Sequence, residues 1–104
     1  MDKEEIAERY GIDLKNLEEE QRALAKHIIV KDESDFSKVE RLGGIDTIFV
    51  RNRIISAVVV INPQLEILDQ QHFSDKVRFP YIPGFRAYRE LPAMLEAFHK
   101  LDFK

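Results

Sequence analysis

The chain has 104 residues, of which 44% are hydrophobic and 34% charged, and its formal net charge is −3 at pH 7. That length predicts a single domain with a modest core, and no apolar run reaches the ~20 residues needed to cross a bilayer. The absence of cysteine excludes disulfides and thiolate metal sites, and the acidic N-terminus lacks a signal peptide's apolar segment. We therefore expect a cytoplasmic protein without membrane contact.

The charge is unevenly distributed along the chain. Residues 1–35 hold 11 acids and 6 bases, whereas residues 36–104 hold 8 acids and 10 bases. The segment 76–89 carries four bases and no acid, at Lys76, Arg78, Arg86 and Arg89. This pattern predicts a local basic patch on an acidic protein, although ordinary solvated charges would look the same.

The N-terminal part of the chain is predicted to be helical. A short helix is expected from Lys3 to Tyr10, ended by Gly11, and a longer amphipathic helix from Leu14 to Val30. Residues 31–41 are polar and predict a loop.

Three strands are predicted next, at Leu42–Arg51, Ile54–Ile61 and Leu65–Phe73. Their short connections require an antiparallel meander. The middle run is apolar on both faces, so it should be central and covered on both sides. The third run is more polar and suits an edge.

A final amphipathic helix follows the Pro/Gly-rich segment, with its apolar face at Leu91, Met94, Leu95, Phe98 and Leu101. Proline is tolerated in the first turn of a helix. We therefore expect this helix to begin near Arg89, so that Pro92 lies in that turn. The predicted fold class is α+β, a three-stranded antiparallel meander with helices before and after it, in one domain over residues 1–104.

The first strand is also apolar on both faces, yet its only neighbour in this layout is the second strand. Its other edge would be open and prone to pair with another chain. The pattern predicts either a missing segment or a homodimer joined at that edge.

Two acids are candidate metal ligands. Asp46 shares a strand face with Ile48 and Val50, so its carboxylate should be packed or partly buried, which is costly without compensation. Alternatively, it accepts backbone N–H groups or pairs with an arginine. Glu90 should lie in the first turn of the last helix, where the helix dipole alone would explain it. If the helix end lies beside the first strand, the two carboxylates could together bind Mg²⁺.

The segment 79–85, Phe-Pro-Tyr-Ile-Pro-Gly-Phe, predicts a stiff turn with apolar side chains. A stiff turn of this kind can act as a wedge: its apolar side chains insert between bases and unstack them while neighbouring arginines bind phosphates. Alternatively, the aromatic residues fill the core of a simple strand-to-helix connection. The exposure of Tyr81 distinguishes the two interpretations.

These residues together resemble the endonuclease V family of deoxyinosine-directed repair nucleases. The resemblance runs through residues 20–25, Glu-Gln-Arg-Ala-Leu-Ala, then Gly44-Ile45-Asp46 with an aromatic residue at Phe49. It continues through residues 81–85 to Arg89-Glu90, followed by Pro92 and Leu95. It covers most of residues 14–101, corresponding to the N-terminal half of the family's domain.

The resemblance implies a ribonuclease H-like fold, here truncated. It also implies hydrolysis of the phosphodiester one nucleotide beyond the lesion, on its 3′ side. This reaction would depend on Mg²⁺, with Mn²⁺ as an alternative ion. Asp46 and Glu90 would be the catalytic metal ligands. The implied nucleic-acid-binding residues are Pro80, Tyr81, Ile82, Pro83, Gly84 and Arg89. The implied substrates are DNA or RNA containing deaminated bases.

Several features depart from the family. Its domain is about twice as long, and its next strand supplies a third acidic ligand that this chain lacks. Arg86 stands where the family usually has an apolar residue. Three hypotheses follow: a nuclease or part of one, a non-catalytic nucleic-acid-binding or dimerising remnant, and a structural dimer in which the similar residues only pack.

Overall fold

The computed structural model describes residues 1–102. Its elements, in chain order, are α1 (Lys3–Tyr10), α2 (Leu14–Ala25), a 3₁₀ turn (Phe36–Lys38), β1 (Leu42–Val50), β2 (Arg53–Ile61), β3 (Ile67–Lys76) and α3 (Arg86–His99). The α+β class is therefore confirmed. No helix within the described residues is both long and apolar enough to cross a membrane.

The three strands form one antiparallel sheet in the order β1-β2-β3, as the short connections predicted. The β1–β2 hairpin closes on the pair Val50 and Arg53, and Arg51 in its loop adopts a φ of 58°. The β2–β3 loop is held by Asn62, whose side-chain oxygen accepts from the N–H groups of Gln64 and Glu66 at 3.0 and 2.9 Å. This loop delays β3 to Ile67, two residues beyond the predicted start, and the strand continues to Lys76 rather than ending at Phe73.

Helix α3 packs against one face of the sheet, and the core lies between them. Alternate residues of β2 point into this layer and are buried: Ile54, Ser56, Val58 and Val60. On the helix side the buried residues include Ala93 and Ala97, followed by Leu101. Small residues on α3 allow the helix to approach the β-branched residues of β2 closely.

The opposite face of the sheet is not covered by any of the described residues, so the expectation that β2 would be covered on both sides is wrong for this part of the chain. Ala57 is exposed there, and Ile48 of β1 is 56% exposed. The radius of gyration is 16.8 Å, above the ~13 Å expected for a compact domain of this length. The sheet thus keeps an open face and an open β1 edge.

Helix α1 begins and ends as predicted, because both ends carry local signals. The Asp2 side chain accepts from the Glu5 N–H at 2.8 Å, and Gly11 adopts the left-handed conformation with φ 67°. Helix α2 ends at Ala25 rather than Val30. After it, the backbone bonds shorten to i→i−3, and Val30 is 92% exposed, so no packing extends the helix.

Helix α3 begins at Arg86, one turn earlier than predicted. Pro92 is consequently its seventh residue and lies inside the helix rather than in its first turn. A proline there removes one backbone hydrogen bond. The packing of α3 against all three strands maintains the helix despite this loss.

Candidate nucleic-acid interface and metal site

A tight turn leads from β3 into α3. The N–H of Phe85 donates to the carbonyl of Ile82 at 3.0 Å, with Pro83 and Gly84 between them. Gly84 adopts a φ of 89°, which an L residue rarely adopts, and proline at the preceding position suits a type II turn. The sequence Ile-Pro-Gly-Phe therefore fixes this backbone locally, and the turn is stiff.

The side chains of this turn divide between the core and the surface. Tyr81 is 64% exposed, whereas Ile82 is only 2% exposed. Pro83 and Gly84 are exposed and Pro80 is half-buried. The side chain of Ile82 is packed in the core and anchors the turn, so its predicted contact with nucleic acid is not explained by exposure and stays a prediction. The exposure of Tyr81 favours a wedge over a connection that only fills the core.

Helix α2 and a cluster of aromatic rings pack against the turn at residues 82–85 and the start of α3. The side-chain amide of Gln21 donates to the carbonyl of Gly84 at 3.1 Å, and the hydroxyl of Tyr88 donates to the carbonyl of Leu17 at 3.2 Å. Burial raises the pKa of the Tyr88 hydroxyl, with the charge of Glu20 adding to this effect. The Tyr88 ring also lies beside the Phe79 and Phe85 rings, with centroids 5.8 and 6.4 Å apart.

Arg89 lies between two aromatic rings. Its guanidinium carbon is 4.1 Å from the centroid of Phe49 and 5.8 Å from that of Tyr81. The residue is half-buried, and its Nε is buried without a hydrogen-bond partner among residues 1–102. The cation–π contact with Phe49 links α3 to β1 and holds Arg89 beside the exposed ring of Tyr81.

Glu90 is buried and paired with Arg86. The Arg86 Nε–H donates to Glu90 Oε2 and its Nη2 to Oε1 at 3.4 Å. Because α3 begins at Arg86, Glu90 lies in the second turn, so the predicted place in the first turn is wrong and the helix dipole does not explain this acid. A buried carboxylate is costly without compensation, and here Arg86 provides the compensating cation for a residue that is 7% exposed.

Asp46 lies in the middle of β1, opposite Ala57 of β2. Its Oδ1 accepts from the N–H of Thr47 at 2.8 Å, and its backbone carbonyl accepts from the Ser56 hydroxyl at 3.4 Å. Asp46 does share the strand face of Ile48, as predicted. That face is open, however, so the carboxylate is exposed and the expectation that it would be packed is wrong.

Arg86 connects the two acids electrostatically. Its hydrogen bond to Glu90, together with the charge of Glu90, raises the pKa of the guanidinium above its usual value, and the charge of Asp46 adds to the shift. Glu90 lines a cavity of about 290 Å³ with Phe49, Tyr81, Arg86 and Arg89. Asp46 is outside this lining but near enough for its charge to act there.

Glu90 and Asp46 both carry carboxylate oxygens, the donor type that Mg²⁺ prefers. Glu90 is buried and paired with Arg86, whereas Asp46 is exposed on the open face of the sheet. No group of three or more acidic, histidine or cysteine residues suited to a metal occurs within residues 1–102. Within residues 1–102, no third side chain of these types joins Asp46 and Glu90.

Comparison with known proteins gives the family. The sequence model for Endonuclease V matches residues 22–104. The chain belongs to the endonuclease V family. It is 35% identical over 85 residues to endonuclease V of Dictyoglomus turgidum, covering 81% of this chain. The catalytic domain of human endonuclease V superposes with a TM-score of 0.78 at 32% identity over 85% of this chain. The Bacillus subtilis structure, with a TM-score of 0.80 at 23% identity over 86% of this chain, shares the fold.

The chain spans only part of these endonucleases V. It covers 36% of the D. turgidum protein and 40% of each of the two structures. The family is therefore established from a region much shorter than its relatives.

Sequence reasoning overlooked two features of this candidate site. The spacing of four residues between Arg86 and Glu90 is the signal for an ion pair on one helix face, but the late predicted start of α3 concealed it. The Phe49–Arg89 contact joins distant parts of the chain and has no local signal. The predicted basic patch is also weakened, because Arg78 pairs with Asp75 at 2.9 Å and Arg86 with Glu90.

Proposed function

We propose that this chain acts in a Mg²⁺-dependent endonuclease of the endonuclease V type. In this proposal the protein opens DNA or RNA at a deaminated base such as deoxyinosine and hydrolyses a phosphodiester on its 3′ side. The observation that carries the proposal is Tyr81, an exposed aromatic ring on a rigid turn beside a cavity that ends at a buried carboxylate. Family membership supports the nuclease class.

The proposed wedge acts through rigidity. The turn is fixed by Gly84 and anchored by the buried side chain of Ile82, so little ordering entropy is lost when Tyr81 stacks on a base. Base–aromatic stacking contributes roughly 1–3 kcal/mol per base. Arg89, stacked on Phe49, holds a positive charge next to Tyr81 where a phosphate would follow the unstacked base.

The proposed metal site uses Asp46 and Glu90 as ligands. A bound Mg²⁺ supplies charge neutralisation at the scissile phosphate and lowers the pKa of an attacking water. Glu90 would hold the ion from α3 and Asp46 from β1, and the cavity beside Tyr81 would place the phosphate near Glu90. Two protein carboxylates are a minimal set, and metal-assisted phosphodiester hydrolysis often uses more.

A second candidate function is nucleic-acid binding without cleavage. The favouring observation is that Arg86 already compensates Glu90 and that no third carboxylate joins them within the described residues. Such a protein would bind through Tyr81 and Arg89 and would form no Mg²⁺-dependent product.

We also infer that the sheet is the first part of a ribonuclease H-like sheet whose next strand, or a second copy of the chain, pairs with β1. The open edge of β1 and the exposed side chains on its uncovered face, including Ile48 at 56% and Val50 at 50%, support this inference.

The experiment for the wedge uses 2-aminopurine placed next to deoxyinosine in a duplex. Binding of the protein, with Ca²⁺ in place of Mg²⁺, should increase 2-aminopurine fluorescence because the base becomes unstacked. Tyr81→Ala should bind with little increase, while Tyr10→Ala, an exposed tyrosine on α1, serves as the matched control and should behave like the unmodified protein. An equal increase with Tyr81→Ala would reject the wedge.

A further inference from the structure

Arg86 and Glu90 differ sharply in their exposure. The Glu90 side chain is 9% exposed and the Arg86 side chain 82%. The guanidinium nonetheless reaches both oxygens of the carboxylate, Nε–H to Oε2 and Nη2 to Oε1. The buried acid is thus bound on its open side by a cation that approaches from the surface.

A guanidinium in this position opposes a divalent ion at the same carboxylate. Both are cations that require the Glu90 oxygens, and their mutual repulsion is strong at contact distance near a buried group. The charge of Asp46 also acts on Arg86, so the guanidinium lies in the combined field of both acids. That is the field in which a divalent ion held by both acids would lie.

We infer that Arg86 competes with the divalent metal for Glu90, so that the ion binds only when the guanidinium leaves the carboxylate. The inference rests on the proposed function, because it requires Glu90 to be a metal ligand. Arg86 is then a regulatory residue of this site rather than a catalytic residue.

The local structure permits this exchange without unfolding. Arg86 is the first residue of α3 and its side chain is largely exposed, so it can move without opening the core. It also lines the cavity shared by Tyr81 and Arg89. A phosphate entering that cavity would offer the guanidinium a bidentate partner in place of Glu90.

The test measures Mn²⁺ binding directly, by the loss of the free Mn²⁺ signal in electron paramagnetic resonance. Arg86→Leu removes the cation, and Arg86→Gln removes the charge but keeps a hydrogen-bond donor for the buried acid. Arg22→Leu is the matched control, since Arg22 also forms an i,i+4 pair, with Glu18 on α2. Far-UV circular dichroism establishes that each variant is folded, and Arg86→Gln serves if Arg86→Leu is not.

The expected result is that Mn²⁺ binds about tenfold or more tightly to both Arg86 variants. A neighbouring arginine changes the proton affinity of a carboxylate by about one to three orders of magnitude, and its repulsion of a divalent ion acts in the same direction. Arg22→Leu should not change the affinity, and Glu90→Gln added to Arg86→Gln should abolish the gain. Equal Mn²⁺ affinity with and without Arg86, combined with weaker binding by Glu90→Gln, would reject the competition but keep the metal site. No binding by any variant at millimolar Mn²⁺ would reject both.

Discussion

Alanine substitutions at the adjacent residues Tyr81 and Ile82 should separate nucleic-acid binding from stability. Ile82 is 2% exposed, and Ile82→Ala deletes three buried carbon atoms. At roughly 0.8 kcal/mol per buried carbon the transfer cost is about 2.4 kcal/mol, and the residual cavity brings the loss to about 3 kcal/mol. A chain of this size is stabilised by only about 5–15 kcal/mol, so this is a large fraction.

Tyr81→Ala should have the opposite profile. The ring is 64% exposed, so its removal should change the free energy of unfolding by less than about 0.5 kcal/mol. The loss of one stacked base costs about 1–3 kcal/mol of binding. The dissociation constant for an inosine-containing oligonucleotide should therefore rise roughly 5- to 150-fold.

Two measurements on the same preparations check this contrast. Urea unfolding followed by far-UV circular dichroism should show a midpoint lowered by about 2 M for Ile82→Ala and unchanged for Tyr81→Ala. Fluorescence anisotropy of a labelled oligonucleotide with Ca²⁺, without urea so that both variants are folded, should show the larger binding loss for Tyr81→Ala. Ile82→Ala should weaken binding less, because it loosens the turn but keeps the ring that stacks. If Tyr81→Ala lowered the midpoint as far as Ile82→Ala and left binding unchanged, the assignment of Ile82 as the anchor of the turn and of Tyr81 as the wedge would be wrong.

Three further predictions concern β1 and the turn. Asp46→Asn should reduce Mg²⁺-dependent cleavage in a single-turnover assay at least 100-fold, with little change in binding. Asp69→Asn is the control, because Asp69 also accepts from the next N–H at 2.8 Å, and it should leave the rate unchanged. Equal rates for both variants would refute the role of Asp46. Gly84→Ala should lower the free energy of unfolding in urea by about 1–2 kcal/mol, because Gly84 has a φ of 89°. Gly44→Ala is the control, since Gly44 also has open space for a Cβ but no positive φ, and it should change the free energy of unfolding little. Similar losses for both variants would contradict backbone strain at Gly84. If a second copy pairs with β1, the chain should sediment as a dimer at micromolar concentration and Ile48→Lys as a monomer. A stable unmodified monomer would exclude pairing of two copies at β1.

Local signals predicted much of the fold. The Asp2 cap and Gly11 set both ends of α1. The predicted two-residue connection Asn52-Arg53 required the antiparallel β1–β2 hairpin, and in the structure the connection is one residue earlier, at Arg51-Asn52. The turn at Pro83-Gly84 was likewise readable, because each residue restricts or permits a particular φ. These features depend on neighbours in sequence and need no knowledge of packing.

The remaining errors arose where tertiary packing decides the outcome. Pro92 suggested a late start for α3, but contacts with the sheet compensate one missing backbone bond and let the helix begin at Arg86. The burial of Asp46 depends on what covers the second face of the sheet, and the pattern of β1 contains no such information. Ile82 and Tyr81 are both large and apolar in sequence, and only the fold assigns one to the core and the other to the surface.

The most direct test of the proposed function is incision of a 5′-labelled duplex containing one deoxyinosine, under single-turnover conditions with excess protein and Mg²⁺. The proposal predicts one product, cut on the 3′ side of the lesion at the phosphodiester one nucleotide beyond it. That product should be absent with EDTA, with Glu90→Gln, or with an undamaged duplex. Binding of the damaged duplex without any Mg²⁺-dependent product would contradict nuclease activity for this chain and leave nucleic-acid binding as its function.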